Sequence, residues 1–159
     1  MTDRGDFDKL VALVLDLNPK AVEAHIERVQ EVFAKNLHIG QRIALNAALT
    51  ENAFTLIICM QLGIPLTLVG KPGSSKSLAK TVVEDTLRGK ESESQFFKAH
   101  FKKVEYFPYL CSQHSIAKAI IDAHSSAKRS QELNDRDRPG TYVAVLVLDE
   151  VGLAEDSEH

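Results

Sequence analysis

The eight residues from Gly70 to Ser77, GKPGSSKS, constrain this chain more than any other feature, because of what stands on either side of them. Before them PLTLV, from Pro65 to Val69, is an apolar run without polar alternation, which predicts a short strand buried on both faces. After them Leu78, Ala79, Val82, Val83 and Leu87 fall on one side of an amphipathic helix. Strand, loop of small residues, helix is the context in which backbone amides and a helix N-terminus converge on the oxygens of a triphosphate. Gly70, Lys71, Pro72, Gly73, Ser74, Ser75, Lys76 and Ser77 are therefore the candidate nucleotide-binding residues. Gly70 and Gly73 permit close approach and Pro72 stiffens the loop. Lys76 would set its ammonium against the β and γ phosphates, and the Ser77 hydroxyl would be a ligand of the bridging magnesium. ATP and Mg2+ are the cofactors this predicts.

The usual pattern has glycine immediately before the lysine, and here Ser75 stands in that place. Its β-carbon and hydroxyl either crowd the nucleotide or donate one more hydrogen bond. Taken alone, the segment is open to a plainer reading as a flexible glycine-serine loop. The segment TYVAVLVLDEVGLAEDSEH argues against it: Tyr142 to Leu148 predict a nearly continuous apolar strand that ends abruptly in Asp149 and Glu150. At the carboxyl end of a parallel strand, side chains emerge into the crevice where α/β sheets bind ligands. Asp149 is accordingly the second candidate magnesium ligand, and Glu150 the candidate catalytic residue, orienting a water for attack on the γ phosphate. An acidic turn after a strand is the ordinary alternative, but it leaves the agreement with the upstream loop unexplained.

With 159 residues and 44% hydrophobic side chains the chain is one domain's worth and can build a core. A net charge of −3, with basic and acidic residues well mixed, gives no footprint for nucleic acid, and no nucleic-acid partner is expected. The two cysteines, Cys59 and Cys111, form no disulfide framework or metal-ligand pattern, as suits a reducing cytosol. MTDRGDFDK at the start lacks the layout of a signal peptide. Ala53 to Gly70 is apolar enough to suggest a membrane, but Gly63 and Pro65 break it and Gln61 lies inside, so a buried helix followed by a strand is expected.

Asn18-Pro19 predicts a helix start, with Val22, Ile26, Val29 and Phe33 on the buried face and Glu23, Glu27, Arg28 and Glu31 outside. Gln41 to Leu62 predicts a second helix, capped by Gly63. Val104 to Cys111, VEYFPYLC, is a strand candidate interrupted by Pro108, which favours a sheet edge. A helix capped by Ser112 should follow, burying Ile116, Ala117, Ile120, Ile121, His124 and Ala127, before a surface loop from Ser130 to Gly140. Phe96, Phe97 and Phe101 are expected to cover the core rather than stack bases. The histidines have no metal or triad spacing, and Cys111 with His114 is assigned no chemistry.

The run ALTENAFTLIICMQLGIPLTLVGKPGSSKSLAKTVVEDTLRGK, with CSQHS and VLVLDEVGLAEDS further on, closely resembles the mysterin family of giant AAA+ RING-finger ubiquitin ligases, over Ile43 to Ser157. The serine before the lysine is itself typical of that family. The resemblance implies a P-loop NTPase fold of the AAA+ kind, an α/β parallel sheet with flanking helices, here incomplete and preceded by a helical segment. It divides the chain into a helical lead-in at residues 1–62 and the first part of an AAA+ ATPase domain at 63–159. It implies a large cytosolic protein in which neighbouring AAA+ units share one polypeptide, association with lipid droplets, and a role in antimicrobial defence. A ubiquitin-conjugating enzyme and protein substrates would be engaged by regions far downstream, since this chain holds no RING pattern of cysteines and histidine.

AAA+ sheets run in the order 5-1-4-3-2, so by resemblance the strand after Glu150 would lie between the phosphate-loop strand and the Asp149 strand. The expectation is a fragment of a longer protein that alone hydrolyses ATP poorly or not at all. Two function classes stay open, a working ATPase and a unit that binds ATP as a structural or regulatory ligand. A phosphate-loop GTPase ranks third, because no guanine-reading segment is identifiable. Glu150 favours the first.

Overall fold

The computed structural model of the chain describes residues 13–14, 18–41, 43–71 and 73–153. Pro72 and residues 154–159 lie outside this set, and with them one expected loop residue and the end of the acidic tail. The described residues form helices α1 (Pro19–Asn36), α2 (Ala47–Leu62), α3 (Lys76–Thr86), α4 (Gln95–His100) and α5 (Ala117–Asp137), with strands β1 (Lys103–Leu110) and β2 (Tyr142–Asp149). The two strands pair in parallel, from Lys103 opposite Tyr142 to Leu110 opposite Asp149. A parallel pair needs a crossover, and α5 supplies it, packing back on β2. The fold is the α/β type with a parallel sheet and flanking helices that the sequence predicts.

α1 forms as its pattern dictates. The Asn18 side chain accepts the amide of Lys20, Val22 and Phe33 are buried, and Glu23, Glu27, Arg28 and Glu31 face outward. Phe33 sits at the centre of the core, meeting Phe54, Phe96, Phe97 and Phe101 edge-on at centroid distances of 5.0 to 5.8 Å. Edge-to-face contact places the positive ring edge on a negative face and adds about 0.5–1.5 kcal/mol per pair beyond area burial. These phenylalanines thus serve the core, as expected. α2 begins at Ala47, later than the predicted Gln41, because Asn46 caps it by accepting the amide of Leu49; Gly63, with φ 68°, closes it.

Polar groups lock these layers together. The buried Thr86 hydroxyl donates to the Val82 carbonyl at 2.7 Å and accepts the His38 amide at 3.0 Å, joining α3 to the chain leaving α1. Gln61 bonds both backbone groups of Lys102, at 2.9 and 3.2 Å, and so registers α2 against the entry to β1. That explains a polar residue in an apolar window. No described helix is long and apolar enough to cross a membrane.

Four expectations need correction. Residues 64–70 carry no regular structure, and Ile64, Leu66 and Val69 are exposed, so the strand expected at Pro65 to Val69 is not formed among the described residues. Apolar character alone does not make a strand: with no described strand beside it, this run has no hydrogen-bonding ladder, although Leu68 packs against the core. β1 runs unbroken through Pro108, which pairs opposite Val147; a strand with one described neighbour tolerates a missing donor. α5 starts after Ile116 without a Ser112 cap, and of its predicted buried residues only Ala127 is buried, with Ile116, Ala117, Ile121 and His124 exposed. The predicted surface loop from Ser130 is helical to Asp137. Gln131 bonds Asp135 and Asn134 bonds the Ser130 carbonyl, local pairs that sustain an exposed helix until Pro139 approaches.

Candidate functional site

The segment Gly70 to Ser77 leads directly into α3, whose first residue is Lys76. Its ammonium is gathered back over the loop, donating to the carbonyls of Gly70 at 2.6 Å and Lys71 at 3.0 Å and to the Ser74 hydroxyl at 2.9 Å. A chain that bends a lysine onto its own carbonyls has shaped those residues around a positive charge. Gly70 matters sterically: a β-carbon there would stand 2.9 Å from the Ser74 hydroxyl oxygen. Gly73 turns the loop with φ 80°.

Ser75 carries the departure from the usual motif, and it takes φ 60° and ψ 14°, the left-handed region that glycine adopts freely. Its side chain does not cap α3, whereas Asn18, Asn46 and Ser94 cap α1, α2 and α4. The first turn of α3 thus has no side-chain cap from Ser75, and a helix N-terminus of this kind favours negative charge. α5 also begins without a side-chain cap, but no lysine-bearing loop precedes it. Asn52 of α2 donates to the Ser74 carbonyl at 3.0 Å and fixes the loop from the side.

The second half of the site arrives from β2. Asp149 ends the strand, its carbonyl accepting the Cys111 amide at 2.9 Å, and its carboxylate meets the Lys80 ammonium at 2.6 Å. Lys80 lies one turn beyond Lys76 on α3, so the bridge joins the end of β2 to the helix that carries the loop. Beneath it Tyr106 donates to the Lys80 carbonyl at 3.3 Å, and burial, reinforced by Glu84, pushes its phenol above the usual range. Glu150 follows the strand with φ 57° and an exposed side chain, its carbonyl accepting the Leu153 amide at 2.9 Å. A non-glycine residue held there is strained, a feature that clusters at functional positions.

The structure thus groups Gly70, Lys71 and Ser74 around Lys76, and ties Asp149 to α3. The side chains of Ser77 and Glu150 are exposed and, among the described residues, no hydrogen bond or ion pair joins them to the others. No group of three potential metal-ligating side chains occurs among the described residues. Two residues escaped sequence reasoning, Lys80 and Asn52. Both left a signal: Lys80 repeats Lys76 at helical spacing, and Asn52 is a polar residue within a mostly apolar helix.

Comparison with known proteins bears on this geometry. The family model described as the RNF213 AAA domain matches residues 42–159. The E3 ubiquitin-protein ligase RNF213 of Mus musculus is 46% identical over 138 residues, which are 87% of this chain and 3% of that protein. The Homo sapiens protein of the same name is 46% identical over 132 residues, 83% of this chain and 2% of its own length. Rnf213-beta of Danio rerio is 44% identical over 138 residues. The chain therefore spans only 2 to 3% of these relatives.

Proposed function

The chain belongs to the RNF213 AAA domain family, the mysterin relationship its sequence suggests, and from that membership we propose that it is an ATP-binding and ATP-hydrolysing AAA+ unit of an RNF213-like ubiquitin ligase. The observation that carries this reading is the bridge from Lys80 to Asp149, because it brings the acidic end of β2 to the helix that begins at Lys76. Two motifs far apart in sequence are thereby tied to one helix, as a shared phosphate and metal site requires.

The residues suit the ligands. Uncapped α3 amides and the Gly70 approach accommodate phosphate oxygens, and the Ser77 hydroxyl and Asp149 carboxylate are the hard oxygen donors that magnesium takes. Asp149 already accepts one cation. When bound, magnesium would draw charge from the β and γ phosphates. In this reading Gly70, Lys71, Gly73, Ser74 and Ser75 wrap the phosphates through their backbone, with Pro72 as the loop's stiffener. Lys76 exchanges loop carbonyls for phosphate oxygens, and Glu150 orients the attacking water. The parent protein would be cytosolic, with neighbouring AAA+ units in the same polypeptide, and its other regions would meet ubiquitin-conjugating enzyme, protein substrates and lipid droplets.

A second reading, ATP held as a structural ligand without turnover, gains from one feature: Lys80 occupies the carboxylate that magnesium would need. Titration with a fluorescent ATP analogue decides whether either stands. Saturable binding that Lys76→Ala removes supports nucleotide binding, and undiminished binding by that variant overturns it.

A further inference from the structure

Asp149 is the last residue of β2, and its side chain, 46% exposed, leaves a half-solvated negative charge at the strand's end that a nearby cation can compensate. Lys80 supplies that compensation at 2.6 Å. Its position is not incidental: α3 puts it on the same face as Lys76, and Tyr106, reaching up from β1, holds its backbone carbonyl at 3.3 Å. The lysine that closes over the phosphate loop and the lysine that closes over Asp149 therefore lie one turn apart on one helix, and the second sits on the carboxylate that a bound metal would claim.

Resting on the nucleotide-binding reading above, we propose that Lys80 is a positioning residue that holds the Asp149 carboxylate as a stand-in cation and gives it up when a divalent cation arrives with the nucleotide. Metal binding is thereby an exchange of one positive charge for another at the same carboxylate. The ammonium swings to solvent or to a phosphate oxygen. Two consequences follow. The pair keeps the end of β2 against α3, and the metal meets a competitor whose removal strengthens its binding.

The test uses the full chain and four proteins: wild type, Lys80→Met, Asp149→Asn and the double variant. Mn2+ serves as the metal probe, titrated by electron paramagnetic resonance in the presence of ADP. Lys80→Met is expected to bind Mn2+ roughly three- to tenfold more tightly than wild type, the size of one partly exposed charge pair. In the Asp149→Asn background the same substitution should leave Mn2+ affinity unchanged. Thermal unfolding without nucleotide or metal gives a second readout. There the two substitutions together should lower Tm by less than the sum of each alone, and saturating Mn2+ and ADP should abolish that coupling. Should Lys80→Met fail to fold, Lys80→Gln replaces it. Unchanged or weaker Mn2+ binding by the Lys80 variants, or equal tightening in the Asp149→Asn background, overturns the proposal while ADP binding persists. A wild-type chain that binds no ADP at all overturns it together with the nucleotide reading.

Discussion

The Asn52 side-chain amide donates to the carbonyl oxygen of Ser74 at 3.0 Å, tying the second described helix to the loop that precedes the third. The bond fixes one carbonyl of a segment that has no regular structure of its own. Asn52→Ala should lower stability by about 0.5–1.5 kcal/mol, the usual net contribution of one such bond. It should also weaken ATP-analogue binding several-fold, since a looser loop must be ordered on binding. Equal affinity for the two proteins would show that the loop holds its shape without α2.

Ser75 supplies a prediction of opposite sign. At φ 60° a β-carbon is strained by roughly 1–2 kcal/mol, offset in part by the extra unfolded-state freedom that glycine brings. Ser75→Gly should therefore stabilise the chain by about 0.5–1 kcal/mol in urea unfolding. A loss of stability would mean that the serine hydroxyl has an interaction outweighing the strain.

Phe33 tests how the first helix is joined to the rest. It is 5% exposed and meets four other rings, so Phe33→Ala should cost about 3–5 kcal/mol and lower the single unfolding transition as a whole. A separate early transition of α1, with the remainder unmoved, would contradict a shared core.

Tyr142 gives a pH dependence. It is buried, and burial together with its hydrogen bond to the Glu105 carboxylate pushes the phenol up to about 12. The neutral phenol is thus favoured in the folded chain, so its contribution is complete below the unfolded value near 10 and is lost as pH rises through about 12. Between those values wild type should lose stability faster than Tyr142→Phe, measured by urea unfolding across pH. Parallel slopes would remove Tyr142 as the cause.

Much of the site was legible because its signals are local. Gly70 to Ser77 followed by apolar helical spacing, and an apolar strand ending in two acids, are readable in single windows. Caps were readable where the side chain and its amide are close in sequence, as at Asn18 and Gly63. Part of what failed depended on partners distant in sequence. PLTLV has the composition of a strand, but a strand also needs a neighbour, and none of the described residues provides one. The helix through Ser130 to Asp137 misled because its polar residues stabilise one another at helical spacing rather than by burial. Lys80 repeats Lys76 at helical spacing, but its partner Asp149 lies 69 residues on, so spacing alone does not assign it a role.

The most direct measurement is ATP binding and turnover in the intact protein that carries this chain, for wild type, Lys76→Ala and Glu150→Gln. Lys76→Ala should weaken ATP binding roughly 10- to 100-fold, the loss of a charged hydrogen-bonding group. Glu150→Gln should keep wild-type affinity and lose turnover at this unit. Wild type that binds ATP but turns it over no faster at this unit than Glu150→Gln would contradict hydrolysis here and leave the nucleotide as a structural or regulatory ligand.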